Sequence, residues 1–332
     1  MSSLMPSCFR TDEQMPKPTS PIPSPNSQVI NGSETSGTKV SLVRTSDRKE
    51  GVRRAIALLQ SNPIEGKSVT LKPNFNTADP TPGSTHNDTL SALILTLQEM
   101  GATQITLAER SGPPDTRKVM EQKGIFQLAQ QLGFQVINLQ EIEPEDWVHL
   151  EPKDSHWEHG FHFARVYLEA ESIVQTCCLK THAYGGHFTL SLKNSVGMVP
   201  RTGYPYMGEL HRSPYQRQMI AEINTAYSPD LIVLDGVEAF VDGGPDRGTR
   251  VKSEVVLAGK DRVAIDAVGV AILRLFGTTP EVSQGPIFKQ EQIARAIELG
   301  LGVKHPAQIH LITDDPESKA FAEKVTDILL KG

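Results

Sequence analysis

The chain has 332 residues, 33 Lys and Arg against 39 Asp and Glu, and a formal net charge of -6. That length accommodates one large α/β unit or two smaller domains, and the mixed, slightly acidic charge leaves no electrostatic footprint for nucleic acid. Three cysteines support neither a disulfide framework nor a four-thiolate cluster, and the lack of any run of roughly 18 apolar residues argues against a membrane span.

Residues 1–38 are rich in Ser, Pro, Thr and Asn without apolar periodicity, which predicts a disordered leader. No basic stretch precedes an apolar one there, so the expected compartment is the reducing cytoplasm. Residues 39–332 read as a single α/β domain, opening on the apolar segment at 39–43. Val52, Ala55, Ile56 and Leu59 make one stripe of a helix over 47–59. A strand at 69–71 runs into Lys72-Pro73-Asn74, a helix over 87–100 stops at Gly101, and a strand at 104–108 ends at Glu109 and Ser111. A helix over 119–132 stops at Gly133, and 135–138 returns as a strand. The middle is less regular, with extended segments at 147–150 and 161–167 and room for a subdomain around 140–215. Strand 173–179 delivers Lys180, helix 215–227 follows, and strand 231–234 ends at Asp235-Gly236. A strand at 254–258, helices at 263–276 and 290–299, a strand at 309–312 and a helix at 321–330 complete the pattern. The alternation predicts a mostly parallel sheet with helices on both faces and an irregular insertion in the middle.

Polar residues collect at the predicted carboxyl ends of the strands: Lys72 and Asn74, Glu109 and Ser111, Lys180 and His182, Asp235, then Lys260 and Asp261. In a doubly wound sheet those ends share one edge, so residues distant in sequence can line one crevice. The densest stretch is 180–201, with two His, two Lys, an Asn and three Gly directly after an apolar run.

Lys180, Lys193 and Lys72 are candidate clamps for a carboxylate or phosphate, with Glu109, Asp235 and Asp266 as the carboxylates that can instead pair with them. Asn74 and Asn194 are candidate ligand contacts, Asn194 with Gly197 being equally suited to a turn. His182 and His187, five apart across Gly185-Gly186, can reach one substrate as hydrogen-bonding or acid–base groups, or one divalent metal together with Asp266. Packing or loop capping is the remaining alternative for the pair. Asp235, Asp242, Asp261 and Asp266 can supply oxygen ligands to a hard cation such as Mg2+, while Asp261 also suits a helix N-cap and Asp242 a turn. His156, His159 and His162, interleaved with Trp157, Phe161 and Phe163, fit a hairpin that scatters the rings. Cys177 and Cys178 lie in an apolar strand and are expected to be buried and inert. No Gly-x-Gly-x-x-Gly, P-loop or Gly-x-Ser-x-Gly motif follows a strand. Two functions follow from these residues. One is an enzyme that binds a small anionic substrate and moves protons with His and Lys; the other is a noncatalytic carrier of a metal, cofactor or metabolite.

Several short motifs occur in a set order: Lys72-Pro73-Asn74, Gly83-Ser84-Thr85, Leu179-Lys180-Thr181-His182, Leu192-Lys193-Asn194-Ser195-Val196-Gly197, Asp235-Gly236-Val237 with Gly243-Gly244-Pro245, and Asp261 through Ala267. Together they resemble the family catalogued as domain of unknown function 362, over roughly residues 39–280. The resemblance implies a fold and a site rather than a reaction. Some members carry an appended iron-sulfur module; this chain has no Cys-x-x-Cys spacing to hold such a cluster. In layout, though not in motifs, the chain is also similar to the N-terminal part of nickel-dependent lactate racemase.

Overall fold

The computed structural model describes residues 37–332, so nearly all of the predicted leader lies outside the described residues. In chain order the strands are β1 (Thr38–Arg44), β2 (Ser68–Lys72), β3 (Gln104–Glu109), β4 (Gln135–Asn138), β5 (Trp147–Leu150), β6 (Phe161–Ala164), β7 (Ser172–His182), β8 (His187–Thr189), β9 (Leu231–Gly243), β10 (Gly248–Gly259) and β11 (Ile309–Ile312). The helices are α1 (Arg48–Leu58), α2 (Asn87–Glu99), α3 (Thr116–Gln122), α4 (Ile125–Leu132), α5 (Arg165–Leu168), α6 (Ser191–Asn194), α7 (Tyr206–Arg212), α8 (Gln216–Ile223), α9 (Arg262–Leu275), α10 (Pro280–Ser283), α11 (Glu291–Glu298) and α12 (Pro316–Lys331).

The main sheet has the order β11-β1-β10-β9-β7-β2-β3-β4, with β8 folded back on β7. Pairings of β2 with β3 and β7, β3 with β4, β7 with β9 and β1 with β11 are parallel. Only β10 in that row runs against its neighbours, β1 and β9. Every residue of β7 is buried, the signature of a central strand covered on both faces. One apolar core joins α1, α2, α3 and α4 to the sheet, and a second joins α9, α11 and α12 to it. A third, richer in aromatics, gathers β5, β6, α7 and α8, and β5 pairs with β6 in a separate antiparallel ribbon. None of the helices among the described residues is long and apolar enough to cross a membrane.

Local chemistry explains the boundaries. Asp47 caps α1 through the amides of Lys49 and Glu50, and Asp261 caps α9 through that of Ala264. The helix expected over 119–132 is two helices, because Gly124 sits at φ 67° between them. The strands expected at 231–234 and 254–258 are the paired ends of a long β9–β10 hairpin. Its register shifts near Lys252 and Val255 are a bulge in the ladder, so Asp235-Gly236 does not end the strand.

Candidate functional site

After β2 the chain builds outward through β3 and β4; after the insertion it returns to the other side of β2 with β7 and continues outward to β9. The sheet therefore changes direction between β2 and β7, and the carboxyl ends there flank the crevice in which open α/β sheets bind ligands. Lys72 closes β2 and Glu109 closes β3. Lys180 and His182 are two apart at the end of β7, hence on one face of the sheet.

The floor is a network of buried polar groups. Lys72 Nζ donates to Glu109 Oε1 at 2.6 Å and to the Pro73 carbonyl at 2.7 Å. Glu109 also accepts from the amides of Arg110 and Phe75, each at 2.8 Å, so this pair neutralises itself. Burial lowers the Lys72 pKa, and the Glu109 charge works against that. Lys180 Nζ donates to Asn74 Oδ1 at 3.0 Å, Gly83 O at 2.6 Å and Pro245 O at 3.0 Å. Its three protons are thus all engaged by neutral oxygens, which ties the β2 loop to the β9–β10 turn. Asn194 Oδ1 accepts from Asn74 Nδ2 at 3.3 Å, and its Nδ2 donates to Thr176 O at 3.1 Å. Arg110 reaches across to the carbonyls of Val196 and Val199, fixing the segment that follows α6.

Lys193 differs from the other two lysines. No hydrogen bond or ion pair engages its Nζ among the described residues, although the side chain is buried. Burial, then the neighbouring Lys180 and Arg110 charges, bring its pKa down to about 8. His182 is also buried, and its Nδ1 has no hydrogen-bond partner. Burial, reinforced by Lys193 and Lys180, holds that imidazole well below its ordinary pKa, so it is neutral at pH 7. Gly186 covers both groups: a Cβ at that position would lie 2.9 Å from His182 Nδ1 and 3.0 Å from Lys193 Cε. A Cβ at Gly197 would likewise lie 2.7 Å from Glu109 Oε1 and 2.8 Å from Lys72 Nζ. Two of the glycines in the 180–201 stretch are therefore there for close approach rather than for flexibility.

These groups line two connected spaces. An inner recess of about 60 Å³ is bordered by Lys72, Asn74, Glu109, Lys180, His182, Lys193 and Asn194. An outer cleft of about 760 Å³ shares Asn76, Arg110, Gly112, His182, Lys193, Val196 and Pro245 with it. Seven of the predicted site residues are thereby brought together. Asn76, Arg110, Arg201, Asp79 and Asp246 also line the cleft and were not singled out from sequence. Arg110 directly follows Glu109 and Asn76 lies two residues past Asn74, and that nearness to the strand-end motifs is the available signal.

Three predicted residues lie elsewhere. Asp235 is within β9, opposite Cys178, and faces α1 and α2. There it accepts from Arg48 Nε at 3.0 Å and Thr89 Oγ1 at 2.5 Å, so it is a structural ion-pair partner and lines neither space. His187 opposes His182 in the β7–β8 hairpin, but it has φ 60° and its ring lies among Arg217, Glu291, Glu281 and Gln290. Asp266 lies inside α9, where it accepts from the Ser191 amide at 2.8 Å and the Leu192 amide at 3.3 Å. Burial pushes its pKa up to about 8 against those bonds. The proposed metal set of His182, His187 and Asp266 is thus dispersed. Among the described residues no group of three His, Cys, Asp or Glu side chains is placed to hold a metal ion.

The remaining sequence motifs have structural roles. His156 pairs with Glu222 at 2.6 Å, His159 is exposed, and His162 contacts Tyr206 Oη at 2.6 Å. Cys177 and Cys178 are buried thiols whose pKa values burial raises, Cys178 to about 11.

Comparison with a family model agrees with the resemblance drawn from the motifs. The family model described as "Domain of unknown function (DUF362)" matches residues 69–271, more than half of the chain. A thylakoid-associated protein of Synechocystis is 25% identical over 257 residues, 74% of this chain and 74% of that protein. Among solved structures, the lactate racemase apoprotein from Thermoanaerobacterium thermosaccharolyticum is similar with a TM-score of 0.41 and 16% identity. The match covers 62% of this chain and 51% of that one.

Proposed function

The chain belongs to the family described as domain of unknown function DUF362, whose description names no reaction, and from its geometry we propose a cytosolic enzyme that binds a small anionic ligand at the β2–β7 crevice and moves a proton on it. Lys193 is the anion-binding group. His182 is the acid–base group, and Lys180, Asn74 and Asn194 position the floor beneath them.

One observation carries this reading: a buried lysine that makes no ion pair lies beside a buried histidine whose Nδ1 has no partner, and both border the same cleft. A buried ammonium left unpaired is costly, and an anionic ligand supplies the missing charge. With Nδ1 covered by Gly186, Nε2 is the His182 nitrogen left to exchange a proton with that ligand. As the proton leaves carbon or oxygen for Nε2, negative charge grows on the ligand, and Lys193 stabilises it there. Returning the proton to the same atom or a neighbouring one gives exchange or isomerisation, with no change in redox state.

The test is solvent exchange. Wild type is incubated in deuterium oxide with a panel of α-substituted carboxylates, and deuterium at the α-carbon is followed by NMR. The reading expects at least one compound to exchange, with the rate falling about a hundredfold or more in His182→Gln and in Lys193→Met. Ligands that bind through Lys193 without ever exchanging would favour a carrier instead. Exchange indifferent to both substitutions would overturn the assignment.

A further inference from the structure

The inner recess and the outer cleft differ in chemistry as well as in size. Around the recess stand charged and amide side chains, with Lys193 as the cation that no hydrogen-bond acceptor engages among the described residues. The outer cleft presents an apolar stretch of wall formed by Ala78, Pro80, Pro113, Pro114, Val119 and Met207, beside polar groups that include Tyr184, Arg201 and His211. Its volume of about 760 Å³ falls in the roughly 300–1,000 Å³ range of sites that enclose a whole small molecule. An acid of two or three carbons would leave most of that space to water against apolar walls.

Two carboxylates define the cleft further. Asp79 and Asp246 both line it. Asp79 has no ion pair among the described residues, and the pairing of Asp246 is with the largely exposed Arg247, at 3.7 Å. Arg110 and Arg201 are the further cations on the outer wall, and both donate to backbone carbonyls, Arg110 to those of Val196 and Val199 and Arg201 to those of Gly112 and Pro113. Where the far end of a bound ligand lies beside Asp79 and Asp246, a second negative charge there is repelled by both carboxylates.

Resting on the anion-binding reading above, we propose that the ligand is an amphipathic monocarboxylate, its carboxylate at Lys193 and His182 and its uncharged apolar body against the Ala78, Pro113 and Met207 walls. Asp79 and Asp246 act as specificity determinants that exclude dianions. The apolar body supplies most of the affinity, because the carboxylate must lose its hydration to enter the recess, whereas methylene groups gain by leaving water.

Calorimetric titration of the full chain at pH 7 with acetate, 4-phenylbutyrate, suberate and inorganic phosphate tests this directly. The expected order is 4-phenylbutyrate about tenfold or more tighter than acetate, the difference several buried methylene groups produce, with suberate and phosphate weaker than 4-phenylbutyrate. Asp79→Asn combined with Asp246→Asn should raise suberate affinity about tenfold and leave 4-phenylbutyrate within about twofold. Met207→Gln, checked for an unchanged melting temperature, should weaken 4-phenylbutyrate but not acetate, since it removes apolar wall without adding charge. Equal affinities for all four probes, each lost in Lys193→Met, would overturn the amphipathic assignment and leave the anion site intact. Binding of every probe indifferent to Lys193→Met would overturn both.

Discussion

Replacing Lys193 with Met should make the ligand-free protein more stable at pH 7. An unfolded lysine keeps its proton up to about 10.5, whereas Lys193 in the fold is brought down to about 8. Between those values the unfolded chain binds the extra proton, so stability rises with pH through the window, and below 8 the full penalty stands. At about 1.36 kcal/mol per pKa unit the penalty is roughly 3 kcal/mol. Met keeps a similar unbranched stem in the same buried space without the charge. The gain expected at pH 7 is therefore up to roughly 3 kcal/mol, about 1 M in the urea midpoint, shrinking towards zero as pH approaches 10.5. Paired urea denaturation of wild type and variant at pH 7 and pH 10 reads it, with the wild-type difference cancelling other titrating groups. A variant less stable than wild type at pH 7, or a difference that does not change with pH, would refute the argument that this charge is uncompensated.

The Lys72–Glu109 pair should behave oppositely. Glu109→Gln strands a buried ammonium and is expected to cost about 3–5 kcal/mol, while adding Lys72→Met should recover a large part of the loss; additive costs in that cycle would count against the pair. Carboxylate affinity should be flat from about pH 6, above the ligand's own titration, to pH 8 and then fall about tenfold per pH unit as Lys193 loses its proton, whereas a profile level to pH 9.5 would exclude Lys193 as the anion-binding group. Gly186→Ala places a Cβ against His182 and Lys193 and should weaken carboxylate binding by about tenfold or more; unchanged affinity would show that the two side chains move aside freely.

Much of this site was legible in the sequence because strand ends announce themselves. An apolar run that stops at Lys72-Pro73-Asn74, at Glu109 or at Lys180-Thr181-His182 can be placed on one sheet edge by the alternation alone. Asp235 looked the same and was misleading, since the apolar run ahead of Asp235-Gly236 reads as complete while the strand continues through a bulge to Gly243. His187 misled differently. The Gly185-Gly186 spacing permits convergence with His182, and only the positive φ of His187 and its neighbours at α10 and α11 decide against it. The carboxylates open to Lys72 and Lys193 were equally ambiguous in sequence. Distance alone shows that Glu109 belongs to Lys72 and that Lys193 has none. The outer wall was not legible, because the loops around 76–80, 110–114 and 245–246 carry no periodicity and meet only through the topology.

The central claim is that Lys193 is a buried cation held for an anionic ligand. Its ionisation can be measured directly by NMR of protein labelled with carbon-13 at the lysine ε position, titrated with and without saturating 4-phenylbutyrate, the Lys193 resonance being assigned by its loss in Lys193→Met. A midpoint near 8 is expected in the free protein, with a clear rise when the carboxylate is bound. A midpoint near 10.5 without ligand, or one that does not move on binding, would contradict the claim.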